Sequence, residues 1–184
     1  MDYFDATVAR ILEEQGYWVR QSVRVLLSKE TRKNLGKPSL PRSEVDIVAY
    51  QPTRKILLLL EVKSYLDSHG VQPKDLLNTG WAKNRYKLLT IPALQREISD
   101  ALVSEYRRQG LIGEGVEVKF GLAAGHVKKA LDEQVRRIAD RNKWAYYGPK
   151  EIADEVWKFS KLKYENSPFV LTAKLLRQHP PKPA

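Results

Sequence analysis

The sequence predicts an α/β domain, a mixed β-sheet with helices packed against it. Three observations carry that prediction. A helical apolar stripe opens the chain, two strand-like stretches, Ser43–Tyr50 and Lys55–Lys63, follow one another across a short turn, and from residue 93 helical and strand periodicities alternate. The order reads α-β-β-β-α-β-α-β-α with a small C-terminal addition, and no internal repeat is visible.

The first element spans Asp2 to Gln15, where Phe4, Val8, Ile11 and Leu12 recur at helical spacing and Gly16 supplies a stop. Tyr17 to Ser28 reads as a strand because Trp18, Val23, Val25, Leu26 and Leu27 favour a pleated surface. Lys29 to Arg42 reads as a loop, broken by Gly36, Pro38 and Pro41. Its Lys29, Arg32, Lys33, Lys37 and Arg42 face one acid, Glu30, and are assigned to phosphate contact.

The two central strands are joined by Gln51-Pro-Thr-Arg54, with Pro52 suited to a turn. The run Ile56 to Leu60 is continuous and apolar, as in a strand buried on both faces. Gly70, Pro73, Gly80 and Pro92 punctuate residues 64–92, which also hold a basic and aromatic cluster, Trp81, Lys83, Arg85, Tyr86 and Lys87. Such a cluster can stack on bases and hold phosphates. Ala93 to Gln109 then reads as a helix and Val116 to Ala124 as a strand. Val127 to Lys143 is helical, Trp144 to Tyr147 a short strand, and Gly148-Pro149 starts a helix reaching about Ser160. Ser167 to Arg177 closes the chain as a short helix, giving a domain over 1–160 and an extension over 161–184.

Composition narrows the function. The 184 residues carry a formal net charge of +10 and an isoelectric point near 9.7, a surplus that favours a polyanionic partner. No cysteine is present, so disulfides and thiolate metal sites are excluded. No apolar run approaches the ~20 residues that span a bilayer, and Met1-Asp-Tyr-Phe-Asp5 lacks the start of a signal peptide. The expectation is a cytoplasmic protein without a membrane partner. The histidines, His69, His126 and His179, lie far apart without zinc spacing. Gly121-Leu-Ala-Ala-Gly125 lacks the Lys-Ser/Thr of a P-loop, and there is no Gly-x-Ser-x-Gly elbow.

The chemistry concentrates in the hairpin. Glu61 and Lys63 end an apolar strand on one face, with Val62 on the other. In the simplest register across a 51–54 turn, Tyr50 lies opposite Lys55, Asp46 opposite Leu59 and Glu44 opposite Glu61. Acids opposed in a sheet repel, and a divalent cation would remove that conflict. Oxygen ligands select a hard ion such as Mg²⁺, for which Mn²⁺ would substitute. Asp46 and Glu61 are the first ligand candidates and Glu44 a further one, while Lys63 would position water or stabilise negative charge.

Asp46 followed on the next strand by Glu61-Val-Lys63, with Pro41 and Glu44 upstream, resembles the PD-(D/E)XK nuclease superfamily. Phe4-Asp-Ala-Thr-Val-Ala9, Leu12, Gly16-Tyr17 and Val19 are similar to the first helix of its Mrr-like restriction endonucleases and archaeal Holliday-junction resolvases. The resemblance covers residues 4 to 157. It implies a restriction-endonuclease-like αβββαβα core and a Mg²⁺-dependent endodeoxyribonuclease leaving 5′-phosphate and 3′-hydroxyl ends. It implies DNA as partner, and a homodimer as in resolvase-like members. It also places Asp5 at the metal, as Asp where relatives have Glu, and makes Gln95 the nearest match to a catalytic Gln on the helix after Glu-x-Lys. Two other readings stand beside it, a non-catalytic nucleic-acid-binding subunit and a phosphate-binding regulatory domain.

Overall fold

Asp2 begins the first helix by accepting the Phe4 backbone N–H on its side chain at 2.8 Å, the usual service of an acid at a helix start. The computed structural model describes residues 2–34, 42–77 and 85–180. In chain order the elements are α1 (Tyr3–Glu14), β1 (Trp18–Leu26), α2 (Lys29–Asn34), β2 (Arg42–Gln51) and β3 (Ile56–Lys63). There follow α3 (Pro73–Leu76), α4 (Lys87–Thr90), α5 (Pro92–Arg108), β4 (Glu117–Ala124), α6 (Lys129–Arg141) and β5 (Ala145–Tyr147). The chain then forms α7 (Pro149–Lys158), a 3₁₀ turn over Phe159–Lys161 and α8 (Pro168–Gln178).

The five strands form one mixed sheet in the order β1-β2-β3-β4-β5. The first three are antiparallel, whereas β4 runs parallel to β3 and β5 parallel to β4. That pattern matches the expected α/β architecture, because each parallel step needs a helical crossover, supplied by α5 and α6. β3 is central. Leu57 through Leu60 are at most 2% exposed, which explains why this strand carries no polar alternation there.

Helices cover both faces. On one, α1, α7 and α8 bury Val8, Ile11, Leu12, Ile152 and Val170 against Ile47, Leu58, Leu60 and Val62. On the other, α5 places Leu94, Ile98, Leu102 and Tyr106 over Val48, Leu57 and Leu59. A third cluster joins α6 to Leu122, Ala124 and the segment before α5 through Val71, Tyr86 and Leu89. The extension expected after residue 160 shares the α1 core, with Val170 fully buried and Lys174 Nζ donating to the Leu162 carbonyl at 2.5 Å.

The structure differs from the sequence reading in the 64–92 segment, which forms the short helices α3 and α4 where no helix is expected, and again around α2 and the β2–β3 turn. Residues 29–34, read as loop, form α2, whose preceding Ser28 donates to Glu97 of α5 through its backbone N–H. The β2–β3 turn occupies Pro52–Lys55, with the Lys55 N–H donating to the Pro52 carbonyl and Lys55 itself in the left-handed region at φ 53°. Gln51 therefore faces Ile56, and Ile47 faces Leu60. The register is displaced by two residues from the expected one. An even displacement preserves which side chains share a face.

Candidate functional site

The β2–β3 ladder runs from Gln51↔Ile56 to Ile47↔Leu60, leaving Asp46 just beyond its last pair. Here the alternation of β2 is interrupted. Ile47 and Ala49 belong to the α1 core, yet Val45 packs with the α5 core. Opposite, the β1 register passes from Gln21↔Ile47 to Val23↔Val45 around Ser22, which has φ 53°. Both strands turn over at this point. The Asp46 side chain takes the place of a ladder acceptor, and its Oδ2 receives the Val62 N–H at 2.7 Å.

That bond fixes Asp46 beside the end of β3. Lys63 Nζ lies 2.7 Å from Glu61 Oε1 and 3.6 Å from Asp46 Oδ2, so one ammonium spans two carboxylates. The side chains are 27% exposed at Asp46, 14% at Glu61 and 20% at Lys63, leaving the group screened yet open to solvent. Asp46 engages both the Val62 N–H and the Lys63 ammonium through Oδ2.

Electrostatics bind the three together. Burial pushes the Glu61 carboxyl up; Lys63 opposes this, and the Leu88 N–H at the start of α4 donates to it. Lys63 is held above the ordinary lysine range: burial lowers it, but the charges of Glu61 and Asp46 outweigh that. It is therefore an ammonium at neutral pH. From α1, Asp5 reaches the same field. Its carboxyl is pushed up to about 6, first by burial and then by the charge of Asp46, against the pull of Lys63.

Close packing places α1 there. A side chain at Gly125, just after β4, would meet the Ser64 carbonyl oxygen at 2.5 Å and the Phe4 ring at 2.9 Å. Gly125 also donates its N–H to the Lys63 carbonyl at 2.8 Å. Only glycine lets Phe4, and with it Asp5, come so close to the end of β3.

The other sequence candidates divide. Glu44 is 46% exposed and pairs with Arg24 on β1 at 3.4 Å, so it is turned to a different partner. Gln95 donates to the Leu89 carbonyl at 3.1 Å. It lines a 750 Å³ cavity with Phe120, Trp144 and Tyr147, along the stretch of β4 that precedes its pairing with β5. This cavity lies toward the start of β3, where Ile56 pairs with Glu117, whereas Lys63 pairs with Ala124 at the other end. The clustered acids and the lysine therefore lie at the opposite end of β3 from this cavity.

Among the basic candidates, Lys29 and Lys33 are exposed on α2. Arg32 donates to the Ser28 carbonyl at 3.3 Å and so helps hold α2 in place. Arg85 lies over the Tyr65 ring, 5.9 Å from its centroid, and Tyr65 follows Lys63 by two residues. Lys87 opens α4 next to Leu88, the donor to Glu61. Lys37, Lys83 and the side chain of Arg42 lie outside the described residues. Sequence reasoning missed the backbone donors of Val62 and Leu88, which carry no side-chain signature. It also missed Tyr65, whose position two residues past Lys63 could have marked it.

The donors available to a cation are carboxylate oxygens of Asp46 and Glu61, with Asp5 in their field. Among the described residues no group of three His, Cys, Asp or Glu side chains is gathered closely enough to hold a metal. Two carboxylates nonetheless suffice for Mg²⁺, which keeps several waters and takes one or two carboxylates plus substrate oxygens. No helix among the described residues is long and apolar enough to cross a membrane. No protein-family model, curated protein or solved structure matches the chain.

Proposed function

We propose that the chain is a metal-dependent DNA endonuclease of the PD-(D/E)XK type, with a restriction-endonuclease-like core. The observation that carries the reading is the single ammonium of Lys63 held between Asp46 and Glu61 at the end of an otherwise apolar strand. Asp46 and Glu61 would hold Mg²⁺, with Asp5 as a third acid. When bound, the ion supplies a water of lowered pKa and neutralises charge on phosphoryl oxygens.

The protein's own groups have separate tasks. The Val62 and Leu88 N–H groups orient the Asp46 and Glu61 carboxylates before substrate arrives. Lys63, kept cationic by its neighbours, serves as a donor rather than a general base. It orients the attacking water or stabilises negative charge on the phosphoryl group. Lys29, Lys33, Arg85 and Lys87 supply positive charge for the DNA backbone, consistent with the net charge of +10.

A second reading, a DNA-binding subunit without catalysis, is favoured by one observation. Lys63 already occupies the space between the acids, as it would in a purely structural ion pair. Incubation with plasmid, single-stranded and branched DNA in Mg²⁺, Mn²⁺ or EDTA separates the two. The endonuclease cleaves at least one substrate in either metal and none in EDTA. Binding to all three without cleavage establishes the second reading.

A further inference from the structure

Strand β4 is paired along its whole length on one side and along only part of it on the other. β3 accompanies it from Glu117 to Ala124, but β5 meets only Gly121, Leu122 and Ala123. From Glu117 to Phe120 the sheet therefore ends in an open edge. Backbone alternation fixes which groups face outward. The Glu117 N–H donates to the Lys55 carbonyl and the Gly125 N–H to the Lys63 carbonyl, both toward β3. Successive residues of a strand turn their N–H and C=O to opposite sides. Val118 and Phe120 consequently face away from β3. There the Val118 N–H and C=O and the Phe120 N–H have no backbone partner among the described residues.

The 750 Å³ cavity opens over this edge. Aromatic rings bound it on both faces of the sheet, Tyr17 and Tyr147 on the α1 side and Phe120 and Trp144 on the α6 side. Its charges are unevenly paired. Glu117 and Lys119 neutralise one another at 3.5 Å, which leaves Arg54 and Lys143 in the wall against the single acid Asp140. Arg54 and Lys143 are exposed, and neither has an ion-pair partner among the described residues. They mark the two ends of the open stretch. Arg54 precedes Lys55, whose carbonyl holds Glu117, and Lys143 lies two residues before Ala145, the partner of Gly121. The sheet's other edge, β1, is built differently. Its register is broken at Ser22, with φ 53°, an irregularity of the kind that blunts an edge against pairing. The pairing of β4 with β3 is continuous.

We propose that the open edge of β4 takes an extended acidic segment of a partner protein as an added strand. The backbone of that segment continues the ladder that β5 leaves, bonding the Val118 N–H and C=O and the Phe120 N–H. Its side chains alternate between the Tyr17–Tyr147 and Phe120–Trp144 faces, which selects apolar residues within the strand. Carboxylates at its two ends meet Arg54 and Lys143. A single nucleic-acid strand would also suit aromatic and cationic groups, but it offers no alternating N–H and C=O to match the edge. The edge lies roughly 20 Å along the sheet from Ala124, which pairs with Lys63. A partner held there leaves Asp46, Glu61 and Lys63 uncovered.

Nuclear magnetic resonance of the ¹⁵N-labelled full chain reads the edge directly. The probe is a capped peptide, Asp-Val-Ile-Val-Asp, set beside the same peptide N-methylated at its three central residues, Lys-Val-Ile-Val-Lys, and single-stranded oligo(dT). The acidic peptide should shift the Val118 and Phe120 amide signals and slow their hydrogen exchange. The N-methylated and lysine peptides should bind about tenfold more weakly or worse, through lost ladder bonds and like-charge repulsion respectively. Val118→Pro removes an N–H that faces outward, which an edge strand tolerates, and should weaken the acidic peptide about tenfold. The double variant Arg54→Glu, Lys143→Glu should do the same through charge. If Val118→Pro does not fold, the double variant and the N-methylated peptide carry the test. Unmoved Val118 and Phe120 signals at millimolar acidic peptide, or equal binding of the N-methylated peptide, overturn the proposal. Shifts of these amides with oligo(dT) alone would make the groove a single-strand site. Shifts on raising the protein concentration without peptide would make it a contact between copies. Either result also overturns it.

Discussion

The two ends of β3 lie in one strand of eight residues and behave as different materials. From Ile56 to Leu60 the strand is buried on both faces, and its identity is set by volume. From Glu61 to Lys63 it carries two partly exposed ionisable groups, whose partners come from β2, α1 and α4. The cavity lies toward the apolar end, and the charged cluster at the other. The contrast teaches that concavity and chemistry need not coincide. Here the apolar half positions the charged half.

Substitutions can break this contrast. The largest effect is expected at Lys63. Lys63→Ala should lower the cleavage rate about a hundredfold to a thousandfold, the cost of one preorganised donor at the charge that develops, with the circular-dichroism spectrum unchanged. Leu58→Ala should do the opposite. It should cost about 2–5 kcal/mol of stability by opening a cavity in the core, measured by urea denaturation, while each folded molecule keeps its activity. A Lys63→Ala protein of full activity, or a Leu58→Ala protein of full stability, would dissolve the division.

Metal binding sharpens the comparison at smaller energy. Mg²⁺ at a hundred times its dissociation constant should add about 2.7 kcal/mol to the unfolding free energy of the wild type. Asp46→Asn and Glu61→Gln should remove that gain, and Leu58→Ala should retain it. Equal stabilisation of all four proteins would place the ion elsewhere.

The smallest effect concerns Asp5. Its carboxyl rises from 3.8 to about 6 on folding, chiefly through burial and then through the charge of Asp46. A raised carboxyl favours the folded state when protonated. Its contribution is fully present below pH 3.8 and lost as pH rises through about 6. In metal-free buffer, Asp5→Asn should therefore be more stable than the wild type at neutral pH, and the gain should vanish in acid. Melting curves across this range check it; a gain that grows in acid would contradict the assigned burial.

The legible and illegible parts of the fold also divide along physical lines. The unbroken run from Ile56 to Leu60 marked β3, and the acids beside Lys63 marked its end, because composition alone dictates both. The turn was read two residues short of its register, since Lys55 enters the left-handed region that few non-glycine residues adopt. Helix α2 was hidden by the Gly and Pro residues that follow it, while its docking through Ser28 and Glu97 is a tertiary contact. Glu44 was grouped with the acids because alternation continues in a simple strand; the reversal near Asp46 and Ser22 ends that rule.

The central claim is that Asp46, Glu61 and Lys63 act as one metal-dependent centre for phosphodiester hydrolysis. The most direct measurement compares initial rates of supercoiled-plasmid cleavage in Mg²⁺ for the wild type, Asp46→Asn, Glu61→Gln and Lys63→Ala, each verified as folded. The account predicts cleavage by the wild type, none in EDTA, and near-complete loss in all three variants. Wild-type cleavage that persists in EDTA, or that survives in any of the three, would contradict it.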